Sequence, residues 1–215
     1  MNSIDFLFKS IIAHRGIHYK YLENTILAFE EAIKKKYIVE FDVRLTKDKQ
    51  VVVFHDANLK RIFEIDRDIN DLTLEELRQY QYISTFSEIL EMIDGRVPII
   101  IDVKFCRGIE SKIASELDNY KGLFAIQSFS PLTILWFKIN RPNYIRGYLI
   151  YQFLYLKSIL FILKPSYIAT NLGNLWSLNK YRYKYKVIGY TIKNKKEYQI
   201  YKNQADNFIF DIWNE

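Results

Sequence analysis

Ile11-Ile12-Ala13-His14, then Asn24 through Lys36, then Ile38-Val39-Glu40-Phe41-Asp42-Val43 make the first unit of the pattern that decides the fold. The outer two are short apolar runs with strand character. Between them Ile26, Phe29, Ala32 and Ile33 share one helical face. A strand, a helix and a second strand in that order imply parallel strands joined by a crossover. The alternation then repeats. Strand-like runs follow at Val97–Val103, Leu123–Ser128, Tyr144–Ile150, Tyr167–Thr170, Val187–Ile192 and Asn207–Asp211. Helical spacing marks Thr73–Tyr80, Ser87–Ile93, Ile109–Tyr120, Pro131–Ile139, Gln152–Leu163, Leu175–Tyr183 and Lys195–Lys202, with Asn24-Thr25, Ser130-Pro131 and Asn174 as helix starts. The expected fold is a (β/α)8 TIM barrel, one compact domain over residues 1–215. An open doubly wound sheet usually has fewer strands and a Gly-rich first turn, and no GxGxxG or GxxxxGK[ST] occurs.

The second strand breaks the rhythm. After Ile38–Val43 come Lys47-Asp48-Lys49 and then Val51-Val52-Val53-Phe54-His55. Strand-like runs this close make a hairpin rather than a crossover. A turn centred near Asp48 sets His55 roughly opposite Glu40. The barrel is therefore expected to carry a β-hairpin extension after strand 2 that delivers a histidine beside carboxylates.

The 215 residues are 49% hydrophobic and 26% charged with 7 Gly and 4 Pro, which excludes collagen-like, low-complexity and disordered classes. Cys106 is the single cysteine, and Asp5 and Lys9 interrupt the short apolar start, so no export signal is read and a cytoplasmic location is expected. The most apolar window, Gly147–Leu163, contains Lys157 and falls short of the ~20 apolar residues of a spanning helix, so a buried or interfacial helix is expected. Net charge is +6, but eight Lys or Arg stand against one acid between Lys180 and Lys202, leaving the remainder near neutral. That is not the uniform basicity of a nucleic-acid binder. Tyr181-Arg182-Tyr183-Lys184-Tyr185 has a suitable composition without a recognised motif, and nucleic acid is not an expected partner. Any membrane contact is expected to be peripheral, weak and salt-sensitive, because it would rest on Lys180–Lys202.

In a (β/α)8 barrel the C-terminal ends of the strands face the active site. The first run ends in His14-Arg15, the second in Glu40-Phe41-Asp42 and its return in His55-Asp56. Asp102-Val103-Lys104, Gln127-Ser128 and Asp211 end later runs. Period-two spacing puts Glu40 and Asp42 on one side of their strand, and Asp102 and Lys104 on one side of theirs. Carboxylates gathered together repel unless a cation binds, and oxygen-only ligands suit Ca²⁺ or Mg²⁺, whereas zinc wants more nitrogen or sulfur. Two of the three histidines fall at strand tops, beside Arg15 and Lys104, a set suited to acid–base chemistry on a phosphate ester. Taken singly, each histidine also reads as a satisfied hydrogen-bond partner and the acidic pair as a solvated strand end. His18, in a loop among Tyr19, Lys20 and Tyr21, is assigned no role.

Ile12-Ala13-His14-Arg15-Gly16, Glu23-Asn24-Thr25, Glu40-Phe41-Asp42-Val43, Thr46-Lys47-Asp48 and His55-Asp56 resemble, in order and spacing, the motifs of the glycerophosphodiester phosphodiesterase family. The resemblance continues through Asp102-Val103-Lys104, Gln127-Ser128-Phe129, Gly189-Tyr190-Thr191 and Asp211. It implies a (β/α)8 barrel hydrolysing a small-molecule phosphodiester to glycerol 3-phosphate and an alcohol, with one divalent cation. It implies His14 and His55 as the catalytic pair and Glu40, Asp42 and Asp102 as metal ligands. From charge, Arg15 and Lys104 are expected to bind the phosphate. In the expected mechanism His14 acts as base and His55 as acid, with the reverse assignment open. Glu23 and Asn24 are expected to shape the mouth and cap the first helix.

Four departures stand out. Asp102 occupies a position where the family usually has Glu, Tyr190 one where Trp is common, and Lys49 replaces a frequent turn glycine. The short Leu59–Glu76 segment leaves little room for an inserted cap, so an open mouth is expected. Two competing readings follow. Tyr148–Leu163 together with Lys180–Lys202 fits a lysophospholipid or lipid-headgroup phosphodiesterase at a membrane surface, and Asp102 fits a non-catalytic barrel that binds phosphorylated ligands.

Overall fold

A computed structural model describes residues 4–80, 82–151 and 156–211. In chain order its strands are β1 (Ile12–His14), β2 (Ile38–Leu45), β3 (Val51–Val53), β4 (Ile99–Val103), β5 (Phe124–Ser128), β6 (Ile145–Ile150), β7 (Tyr167–Asn171), β8 (Lys186–Ile192) and β9 (Asn207–Phe210). Neighbouring strands from β4 to β9 pair in parallel, β4 pairs β2, and β1 pairs both β2 and β9, so eight parallel strands close into the expected (β/α)8 barrel. The antiparallel strand is β3, which folds back on β2 with Val43 opposite Val53 as the hairpin extension.

Every barrel strand is buried on both faces by helices outside and side chains inside, which is why each reads as a near-continuous apolar run. Val39, Phe41, Ile99, Ile101 and Ile126 point outward against the helices Ile26–Lys34, Phe86–Ile93 and Ile109–Leu117. Ile12, Ile38, Ile100, Ala125, Ile188 and Ile209 fill the interior, and the 3₁₀ turn Ile4–Phe8 packs Phe6 and Leu7 onto that cluster. Asn207 fastens this turn by donating from Nδ2 to the carbonyls of Leu7 (2.6 Å) and Ser10 (2.9 Å). Gly147 is required here: a Cβ would come within 2.2 Å of the Tyr167 ring, which is fully buried in the same cluster.

The helices beginning at Ile26 and Leu175 both start where expected, and the structure shows which side chain does the capping. Thr25, not Asn24, caps Ile26–Lys34, accepting from the Ala28 N–H. Asn171 rather than Asn174 supplies the side-chain cap after β7, and the expected helix Leu175–Tyr183 is one turn, Leu175–Leu178, followed by a 3₁₀ turn at Asn179–Tyr181. Its Asn- and Tyr-rich end has little intrinsic helix preference, and the α turn is anchored by Leu175 and Leu178. Ser130 with Pro131 starts Pro131–Asn140 as expected. The apolar window divides between β6 and the helix Leu156–Leu163, which buries Leu156, Leu160 and Leu163 at helical spacing, while the expected start at Gln152 lies outside the described residues. Among the described residues no helix is long and apolar enough to cross a membrane.

Candidate active site

Strand alternation carries the inward-facing positions from apolar to polar. Two residues beyond the interior Ile12, Ile38, Ile100, Ala125 and Ile209 stand His14, Glu40, Asp102, Gln127 and Asp211, and two further along β2 stands Asp42. His14 is in register with Glu40, and Asp42 with Asp102, so they form two layers at the strand tops. One cavity of about 180 Å³ is lined by all seven sequence-predicted site residues, His14, Arg15, Glu40, Asp42, His55, Asp102 and Lys104, together with Gln127, Phe129 and Tyr190.

A left-handed turn shapes one wall. Arg15 (φ 54°) and Gly16 (φ 80°) both have positive φ, and a Cβ on Gly16 would come within 2.7 Å of the Ala28 backbone. The turn aims the Arg15 N–H at Glu40 Oε2 (3.2 Å), while the guanidinium donates to Glu23 Oε1 (2.8 Å) and lies 3.2 Å from Asp42 Oδ2. Lys104 Nζ bridges Asp42 Oδ1 (2.7 Å) and Asp102 Oδ2 (2.6 Å). Asn24 donates to Asp42 Oδ2 (3.0 Å) and accepts from the Asp42 N–H (3.3 Å), so it orients a site carboxylate instead of capping a helix.

Glu40, Asp42 and Asp102 are buried, and each offers an oxygen within 4.8 Å of the others. Burial alone would raise all three carboxyl pKa values. At Asp42 the adjacent Lys104 and Arg15 win and hold it well below the usual carboxylate range. At Glu40 burial wins, reinforced by Asp42 and Asp102, and pushes it well up. Asp102 is also raised by burial, against the pull of Lys104. A bound cation would stabilise the ionised form of the two carboxyl groups that burial raises. Among the described residues Asp102 Oδ1 is buried without a hydrogen-bond partner, an acceptor with nothing to accept from. This all-oxygen donor set fits a hard divalent cation.

Each histidine of the predicted pair has Nδ1 on an aspartate: His14 on Asp211 Oδ1 at 2.6 Å, His55 on Asp56 Oδ1 at 2.5 Å. Each ring therefore has Nε2 left for the cavity that it lines. Burial lowers both imidazole pKa values, partly offset by Asp211 for His14 and by Asp42 for His55. His55 is not a paired strand residue: the ladder with β2 ends at Val53, and its register would set residue 55 against Phe41 rather than Glu40. Arg44 fixes its position by donating from Nε to the His55 carbonyl (2.8 Å). Arg61 ties the two walls together, donating to Asp56 Oδ2 (2.6 Å) and bidentately to Glu23. Neither Arg61 nor His18 carries a sequence signal for the site, yet His18 Nε2 lies 3.1 Å from Asp211 Oδ1, beside His14. The positive-φ turn at Arg15-Gly16 returns the chain over β1, and the glycine was its one sequence signal.

The fold and cavity define a (β/α)8-barrel protein with two histidines, two cations and three carboxylates converging at its strand tops. The model of the glycerophosphoryl diester phosphodiesterase family matches residues 14–147, more than half of the chain, and the chain belongs to that family. It is 31% identical over 130 residues to a glycerophosphodiester phosphodiesterase of Bacillus altitudinis, covering 52% of this chain and 53% of the relative. It is 37% identical over 125 residues to human lysophospholipase D GDPD1, covering 49% of this chain and 40% of the relative. The match thus spans about half or less of either relative's length. Among solved structures, an Oleispira antarctica phosphodiesterase in complex with the product sn-glycerol-3-phosphate superposes with a TM-score of 0.83 at 25% identity, over 94% of this chain and 92% of that one.

Proposed function

We propose that this chain hydrolyses glycerophosphodiesters to glycerol 3-phosphate and an alcohol, using His14 and His55 as the acid–base pair. The observation that carries the reading is the single cavity whose wall contains both histidines, Arg15, Lys104 and the carboxylate trio. Family membership and the product named for the Oleispira antarctica structure support the substrate class. Glu40, Asp42 and Asp102 would hold one divalent cation, Ca²⁺ or Mg²⁺, which when bound supplies charge stabilisation to a phosphoryl group.

His14 Nε2 accepts the proton of the attacking hydroxyl, from water or the substrate's glycerol 2-hydroxyl, while Asp211 fixes the ring through Nδ1. The attacking oxygen bonds to phosphorus as the bond to the alcohol oxygen breaks; where the attacker is the 2-hydroxyl, water then opens the resulting cyclic phosphate to give glycerol 3-phosphate. His55 Nε2 donates the proton that lets the alcohol depart, and its ring is fixed by Asp56. Both pKa values are lowered by burial, so their direction does not separate base from acid. The assignment rests on the more enclosed position of the His14 ring and the more exposed position of His55. Arg15 and Lys104 sit where a phosphate would meet the acidic cluster and offset its charge. Cys106, with no second cysteine to pair with, agrees with a reducing compartment such as the cytoplasm.

The test is an activity screen of chelated protein resupplied with Mg²⁺, Ca²⁺ or no metal, across soluble glycerophosphodiesters and a lysophospholipid. Release of glycerol 3-phosphate from a soluble diester, lost on chelation and restored by either cation, is the expected result. Turnover of the lysophospholipid alone would transfer the reading to a lipid substrate. No hydrolysis with any divalent cation would leave a phosphate-binding barrel.

A further inference from the structure

We propose that His14, His18 and Asp211 form a second metal site, for a borderline transition cation such as Zn²⁺, and that filling it switches His14 off as a base. The inhibitory part rests on the proposed hydrolytic function; the binding part does not.

The donor atoms already converge. His14 Nδ1 and His18 Nε2 lie 2.6 and 3.1 Å from the same oxygen, Asp211 Oδ1, and the two imidazoles meet edge to face with centroids 5.8 Å apart. All three ligand atoms fall within 4.8 Å of one another. Tetrahedral zinc with bonds of ~2.0–2.1 Å spaces its donors by roughly 3.3 Å, so the two nitrogen–oxygen separations open by less than about 1 Å to admit it. Two imidazole nitrogens and one carboxylate, with a fourth position open, make a donor set that zinc uses and that Mg²⁺ and Ca²⁺ do not favour. The side chains keep 19–27% of their surface accessible, which gives an ion a route in. The carboxylate trio differs on both counts, offering oxygen alone and being buried. The two sites therefore sort cations by chemistry.

The consequence for His14 follows from its two nitrogens. With Nδ1–H donated to Asp211, the lone pair sits on Nε2, the nitrogen left for the cavity. A metal on Nδ1 needs that nitrogen's lone pair, so the ring proton relocates to Nε2, and no proton or electron is gained or lost overall. Nε2 then carries a hydrogen and cannot accept one from the attacking hydroxyl. Zinc bound there should lower kcat while leaving KM unchanged, because it touches neither Arg15 nor Lys104. His18 does not line the cavity, and Asp211 keeps its contact with His14 without it, which makes His18 the residue to change.

Calorimetry of Zn²⁺ into the full chain saturated with Mg²⁺ tests binding directly, using wild type, His18→Ala and Asp102→Asn. One Zn²⁺ site is expected in wild type, weakened at least ~10-fold by His18→Ala and unaffected by Asp102→Asn. In assays with Mg²⁺ in excess, Zn²⁺ should inhibit wild type, while His18→Ala should keep wild-type turnover without zinc and resist inhibition. Equal Zn²⁺ affinity in wild type and His18→Ala would overturn the proposal. So would zinc that Mg²⁺ displaces or that Asp102→Asn abolishes, since it would then sit on the carboxylates. Binding dependent on His18 in a protein that hydrolyses no diester would uphold the site and remove the hydrolytic function instead.

Discussion

The lower and upper halves of this barrel are built from the same strands and do opposite things. At the lower end the inward positions are Ile12, Ile38, Ile100, Ala125 and Ile209, closed off by Phe6 and Leu7. Two residues further up, the inward positions are His14, Glu40, Asp102, Gln127 and Asp211. One half gains stability by burying apolar surface, while the other buries carboxylates whose burial is unfavourable unless paired or metal-bound. The parallel strands make the division possible: all their C-terminal ends emerge at one end, so one period of alternation separates packing from chemistry. Substitutions in the upper half should therefore change turnover with little effect on stability, and those in the lower half the reverse.

The largest break with wild type is expected at the histidines. His14→Ala and His55→Ala should each lower turnover at least ~10²-fold with melting temperature close to wild type. Wild-type turnover in either folded variant would remove the acid–base assignment, and a collapse in melting temperature would show that the upper half also carries stability. Next comes Asp102. Asp102→Asn should lower turnover ~10-fold or more and weaken the response to added Mg²⁺. Asp102→Glu should retain activity, because a carboxylate remains and its stem is longer by one bond, roughly 1.5 Å. If Asp102→Asn and chelation both leave turnover unchanged, the carboxylate trio is not a metal site.

The division was legible in the sequence to different depths. Strand positions came through to within a few residues because fully buried parallel strands read as unbroken apolar runs. The polar strand ends came through because period two is rigid: once Ile38 faces inward, so must Glu40 and Asp42. What stayed hidden depends on backbone turns that no spacing rule encodes. His18 and Asp211 are 193 residues apart, and they meet because Arg15 and Gly16 adopt positive φ and fold the loop back over β1. Asn24 before a helical stretch carries the same sequence signal whether it caps or, as here, turns with φ 58° to hold Asp42. His55 was placed by extrapolating a hairpin register past Val53, where the ladder ends. Arg61 lies in a short helix, Lys60–Phe63, that the alternation pattern did not reveal.

In the lower half the comparison can be sharpened at Gly147. A methyl there meets the Tyr167 ring at 2.2 Å, and the neighbouring side chains are fully buried with no space to yield. Overpacking of this kind costs about 1–3 kcal/mol. Gly147→Ala should therefore lower the melting temperature by roughly 2–12 °C, at ~2–4 °C per kcal/mol for a chain this long. Turnover per folded molecule should stay within a few-fold of wild type. An unchanged melting temperature would mean that Tyr167 does not pack against Gly147.

The smallest effect is expected where the two halves touch. The Tyr167 ring belongs to the apolar interior, but its hydroxyl donates to Gln127 Oε1 (3.1 Å), and Gln127 Nε2 donates to Glu40 Oε1 (3.3 Å). This chain of two hydrogen bonds joins the packed layer to the carboxylate cluster. Tyr167→Phe keeps the ring and removes one donor, leaving Gln127 Oε1 buried without that partner. The net loss for a single neutral hydrogen bond is about 1 kcal/mol, or a fall of roughly 2–4 °C in melting temperature. Gln127 still reaches Glu40 through its amide nitrogen, so turnover should fall by less than ~10-fold, far short of the histidine variants. A loss as large as that of His14→Ala, at unchanged melting temperature, would place Tyr167 inside the reacting machinery and move the boundary between packing and chemistry one layer down the barrel.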